Sequence, residues 1–108
     1  MKTEIWQETP LHIASRYQRS DVARELLNAG ADPNARDIFG RTSLHSAVAA
    51  DAHSVIRLLL ADPRTDLNAQ MSNGATPLII AARLDMHWTV LILLKRAVHV
   101  NAFDNKGN

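Results

Sequence analysis

Thr9-Pro10-Leu11-His12 returns as Thr42-Ser43-Leu44-His45 after 33 residues and as Thr76-Pro77-Leu78-Ile79 after a further 34. Self-similarity at a period of that size marks a repeat architecture, in which each unit is one supersecondary motif and neighbours stack to bury a shared core. Three further markers keep the same phase. Leu26-Leu27 recurs as Leu59-Leu60 and Leu93-Leu94, Asn34-Ala35 as Asn68-Ala69 and Asn101-Ala102, and Gly40 as Gly74 and Gly107, with Gln7 in that slot of the first unit. The one added residue falls between Leu60 and Asn68, where Asp62-Pro63-Arg64-Thr65 lengthens a loop.

Each marker has a local physical reason. A threonine hydroxyl ahead of a proline starts a helix, because it accepts from an early backbone N–H while proline at the first helical position forfeits no hydrogen bond. First helices are therefore expected over Pro10–Tyr17, Ser43–Ala50 and Pro77–Leu84, and second helices over Asp21–Ala29, Ser54–Ala61 and His87–Arg96. The apolar positions Val22, Leu26 and Leu27, and Val55, Leu59 and Leu60, fall on one face at helical spacing. Gly30 suits a left-handed C-terminal cap; Ala97 stands in that slot of the third unit, so that helix end should be strained or closed differently. The spans 34–40, 68–74 and 101–107 read as hairpin-like fingers whose glycines permit positive φ.

The period and the Thr-Pro-Leu-His signature resemble the ankyrin repeat, which implies an all-α solenoid of about three helix-turn-helix repeats with hairpin-like finger loops. Its pattern divides the chain into one domain with repeats at about 4–36, 37–70 and 71–103, and with 104–108 as the start of a truncated fourth. Arg16-Tyr17-Gln18-Arg19-Ser20-Asp21, Gly40-Arg41-Thr42-Ser43-Leu44-His45-Ser46-Ala47, Arg64-Thr65-Asp66-Leu67-Asn68-Ala69 and Gly74-Ala75-Thr76-Pro77-Leu78-Ile79-Ile80 look like three inner repeats of the Notch receptor's intracellular ankyrin domain. Met86-His87-Trp88 departs from that likeness.

Composition narrows the remaining function classes. The chain has twelve Lys/Arg against eleven Asp/Glu, a formal charge of +1, spread evenly along its length. A clustered basic footprint for direct nucleic-acid binding is missing, as is a cationic membrane-surface face. Apolar runs do not exceed the five residues of Val90 to Leu94, short of a membrane span. Without cysteine there are no disulfides and no cysteine zinc sites. The acidic start of the chain does not read as a signal peptide, so the expected setting is intracellular, in cytoplasm and nucleus.

Catalysis finds no support. His12 and His45 belong to the repeated motif and are expected to hydrogen-bond across the helix start, whereas His53, His87 and His99 lack a partner ligand at metal-binding spacing. There is no phosphate loop, no nucleophile elbow and no paired, desolvated carboxylates. No catalytic residue, metal or cofactor is expected.

Stacked repeats present one continuous surface of finger tips and first-helix faces, and solenoids bind through it. On it fall Ile5, Trp6, Ile38, Phe39, Arg41, Ser72 and Asn73 from the fingers, and Arg16, Tyr17 and Arg83 from the first-helix shoulders. Aromatic residues and arginines dominate interface energies, so these are the expected partner contacts; for Trp6 and Ile5, capping of the stack's end is the competing explanation. A second candidate is the outer side of the third unit, where Trp88 and Leu91, three apart, replace Asp21 and Arg24 or Ser54 and Arg57. Exposed there, they point to a homodimer; packed on Val98 and Phe103, they are core. The Notch likeness implies protein partners, namely the pathway's DNA-binding factor and the Mastermind coactivator, and hydroxylation of the finger asparagines Asn34 and Asn101, which hydrogen bonding within the turn also explains. The alternative function is an engineered or truncated stack that self-associates or binds by design.

Overall fold

The computed structural model describes residues 6–100, with side chains through Ala97. Expectations at Ile5, Val98, His99, Asn101, Phe103 and Gly107, and for 104–108, lie outside the described side chains. Among the described residues there are six helices and no strand: α1 (Pro10–Arg16), α2 (Ser20–Asn28), α3 (Ser43–Ala49), α4 (His53–Ala61), α5 (Pro77–Arg83) and α6 (His87–Val100). They form three antiparallel pairs. α1 packs on α3 and α3 on α5, making an inner row, while α2 packs on α4 in an outer row.

The threonines start the inner helices as their sequence context requires. Thr9, Thr42 and Thr76 sit extended at the N-caps, and each hydroxyl accepts from the backbone N–H three residues on. Pro10 and Pro77 occupy the first turn, where a missing N–H is harmless. The inner helices end one residue before the expected boundaries, with Tyr17, Ala50 and Leu84 as C-caps. Gly30 follows α2 at φ +97°. α6, with Ala97 where that glycine would stand, runs on to Val100 instead of closing.

The core lies between the rows and is continuous from repeat to repeat: Leu11 and Ala14, then Leu44, Ala47 and Val48, then Val55, Ile56, Leu59 and Leu60, reaching Ala81 and Leu93. The turns within each helix pair carry a feature that periodicity does not disclose. Gln18, Asp51 and Asp85 occupy equivalent slots and all take left-handed φ, between +56° and +60°.

The two residues singled out on the outer side of the third unit differ in their surroundings. Trp88 does not stand bare on the outer face. Its ring stacks on His53 of the preceding pair at 4.1 Å, with Arg57 Cζ 5.4 Å from its centroid, and the residue is half-buried against the core. Trp88 and Leu91, three apart, lie about 60° from sharing one direction on a 3.6-residue helix, and that rotation turns Trp88 toward α4. Leu91 keeps its exposure, 62%.

Candidate functional site

The fingers are built by backbone hydrogen bonds and then tied edge to edge. Asp37 N–H donates to Arg41 O, and Gly40 N–H to Asp37 O; Met71, Ala75 and Gly74 repeat the pattern. Sideways, Ile38 N–H donates to Trp6 O at 2.8 Å and Ser72 N–H to Phe39 O at 2.9 Å. Gly40 is required twice over: its φ is +77°, and an added Cβ would meet Ser72 N at 2.9 Å. Arg36 reinforces the second link by donating from Nη1 to Gly40 O and Gln70 O.

Histidine joins the fingers to the inner helices. In the first repeat His12 Nδ1 accepts from Thr9 N–H and Nε2 donates to Arg41 O at 2.7 Å. His45 does the same between Thr42 N–H and Ala75 O. The expected bond across the helix start is present, and the second bond, to the next repeat's finger, fixes the spacing between repeats. Burial lowers the His45 pKa from the ordinary histidine value, and the bond to Ala75 O works against that shift without cancelling it. Ile79 stands in this slot of the third repeat.

On this frame the expected binding residues of the first two repeats converge. Trp6 and Phe39 meet edge to face with centroids 6.4 Å apart. Arg41 Cζ lies 4.9 Å from the Phe39 ring and 5.8 Å from that of Trp6, and Arg16 Cζ lies 5.2 Å from Trp6 and 4.6 Å from Tyr17. Trp6, Tyr17, Ile38 and Phe39 are 40–56% exposed. Ser72, Asn73 and Arg83 of the third repeat are also exposed; Ser72 adjoins the cluster through its bond to Phe39 O, and Asn73 Oδ1 is used within its own finger, accepting from Ala75 N–H.

Two residues absent from the sequence-based set hold the arginines. Glu8 accepts from Arg16 Nε and Nη2 at 2.9 and 2.8 Å, and Asp37 accepts from Arg41 Nε at 2.6 Å while its other oxygen takes the N–H groups of Phe39 and Arg41. Both carboxylates are buried, at 1% and 6% exposure. The Arg16 pKa is raised above its ordinary value, the hydrogen bond to Glu8 being the largest cause. The i,i+4 spacing of Asp37 and Arg41 was the available sequence signal; Glu8 gave none beyond standing next to a helix cap.

This geometry, with capped inner helices, paired outer helices and bonded fingers, agrees with the family to which the sequence is matched: ankyrin repeats (3 copies), over residues 11–104. The chain belongs to the ankyrin-repeat family. Neurogenic locus notch homolog protein 2 of Homo sapiens and neurogenic locus notch homolog protein 1 of Mus musculus are each 49% identical to it over 106 residues, and the Xenopus laevis notch homolog 1 is 48% identical over the same length. These alignments cover 98% of this chain and 4% of each relative, so the chain spans a small part of the proteins it resembles. Ankyrin repeats make it a protein–protein interaction module.

Other candidate sites fare differently. The Asn34 side chain was expected to bond within its own turn, but it bonds across the stack: Nδ2 donates to Arg64 O and Oδ1 accepts from Asp66 N–H, both at 2.7 Å. The lengthened loop supplies both partners, which is its structural use. Among the described residues no three His, Cys, Asp or Glu side chains converge on a metal position, and no helix is long and apolar enough to cross a membrane.

Proposed function

We propose that this ankyrin module docks a protein partner through the finger and inner-helix face centred on Trp6, Phe39, Arg16, Tyr17 and Arg41. One observation carries the reading: exposed aromatic rings and half-buried guanidinium groups, the types enriched in interface hot spots, form one contiguous cluster on rigid supports. Ile38 extends it, and Ser72, Asn73 and Arg83 supply a polar margin on the third repeat. Ile5, next to Trp6 in the sequence, is assigned to the face on that ground alone.

The likeness to notch homologs supports a transcription-regulating context, in cytoplasm and nucleus, with the Notch-pathway DNA-binding factor and the Mastermind coactivator as partners. The face carries no concentration of basic charge, and direct nucleic-acid binding has no part in the proposal. Calorimetric titration of the chain with the DNA-binding factor, with and without the Mastermind segment, tests it. A saturable heat that Phe39→Ala weakens supports the reading; absence of binding to either protein removes the Notch context, and binding indifferent to Phe39 removes the face.

A further inference from the structure

We infer that Glu8 and Asp37 are positioning residues of the docking face, and that the partner segment it accepts is apolar and uncharged rather than acidic. The inference rests on the reading that this face is the docking surface.

Two arginines among exposed aromatics would ordinarily invite a carboxylate or a phosphoryl group, through charge-assisted and bidentate hydrogen bonds. Here both positive charges are already offset by buried carboxylates. Arg16 commits Nε and Nη2 to Glu8 and Nη1 to the Tyr17 hydroxyl, at 2.9, 2.8 and 3.0 Å. Arg41 commits Nε to Asp37, and its Nη2 is buried without an acceptor, with the rings of Phe39 and Trp6 facing the charge instead. Two cations and two buried anions leave the cluster without net charge. An incoming carboxylate meets charges that are already offset, and taking the edges that Glu8 and Asp37 hold would strand a buried negative charge, which is strongly unfavourable.

An apolar segment meets no such obstacle. It covers ring surface that is exposed, and the arginines keep their partners. The guanidinium groups also lie against Trp6, Tyr17 and Phe39, so the rings are held before the partner arrives and less freedom is lost on binding. Glu8 and Asp37 thus act through the arginines: they make the face aromatic in character instead of cationic.

Two synthetic peptides of equal length and equal Leu, Met and Trp content test this, one spaced by Gln and Ser and the other by Glu. Each is titrated into the isotope-labelled full chain at about 0.05 and about 0.5 M salt, with the Trp6 indole and the Arg16 Nε resonances as reporters and the Trp88 indole as the control for an intact fold. The uncharged peptide is expected to move the Trp6 and Arg16 signals, with affinity changing less than about twofold between the two salts. The Glu-spaced peptide is expected to bind no tighter at low salt than at high. In Glu8→Gln, with Arg16 released, the Glu-spaced peptide should gain at least about fivefold at low salt. The salt series on the unaltered chain decides the matter even where Glu8→Gln loses its fold. Tighter low-salt binding of the Glu-spaced peptide at Trp6 overturns the inference and leaves the docking face standing. Silence of Trp6 toward both peptides overturns the docking face and the inference with it.

Discussion

His45 and Ala75 are joined across the boundary between the second and third repeats, the imidazole Nε2–H donating to the carbonyl at 2.9 Å while Nδ1 accepts from Thr42 N–H. The arrangement needs a neutral ring, because protonated Nδ1 would face a donor. Burial accordingly lowers the His45 pKa below the ordinary value of 6.5. Above that value both folded and unfolded chains hold the ring neutral, and the contribution to stability is complete. As pH falls below it, the unfolded chain takes up a proton first, so stability drops until the folded ring is protonated too. Urea unfolding at about pH 7.5 and about pH 5 should show the lower midpoint in acid, and His45→Leu should flatten that dependence while costing about 1–3 kcal/mol.

Gly40→Ala should be more destabilising than Gly74→Ala. Both positions have positive φ, +77° and +88°, and share a conformational cost of about 1 kcal/mol. Only at Gly40 would the methyl also press on backbone, at Ser72 N, the atom whose N–H bonds Phe39 O. Thermal unfolding of the two variants checks the order; equal losses would mean that the fingers are not pressed together.

Thr89→Val should stabilise. Thr89 is wholly buried and its Oγ1 has no hydrogen-bond partner, while Val55 fills the equivalent core slot of the second repeat. Removing an unsatisfied buried hydroxyl at nearly constant shape is expected to gain about 1 kcal/mol, read as a higher melting temperature.

Trp88→Ala should act on the monomer. The indole stacked on His53 and half-buried against the core contributes packing, so truncation is expected to cost about 3 kcal/mol in denaturant unfolding. Unfolding unchanged by the substitution would return Trp88 to the surface.

Much of the fold is legible in the sequence. The Thr-Pro-Leu-His recurrence places every inner helix start, since the cap and the proline act locally, and Gly30, Gly40 and Gly74 announce their positive φ. Long-range relations are not legible. Trp88 reads as an outer-face residue on a helical wheel, and only the neighbouring pair shows that His53 receives it. Asn34 reads as a turn residue, yet its amide is engaged by Arg64 and Asp66, some thirty positions away. At the site, composition singles out Trp6, Phe39, Arg16, Tyr17 and Arg41 individually. Their convergence depends on finger-to-finger bonds; Glu8 looks like an ordinary surface charge in sequence, and only the i,i+4 spacing to Arg41 marks Asp37. Left-handed Gln18, Asp51 and Asp85 are likewise hidden, because none is glycine.

The most direct measurement pairs the melting temperature of Trp6→Ala with its affinity for the captured partner. The account predicts a loss of about 2 kcal/mol in binding with little change in melting temperature, since the indole is 40% exposed. Undiminished affinity alongside a lowered melting temperature would make Trp6 a packing residue and contradict the account.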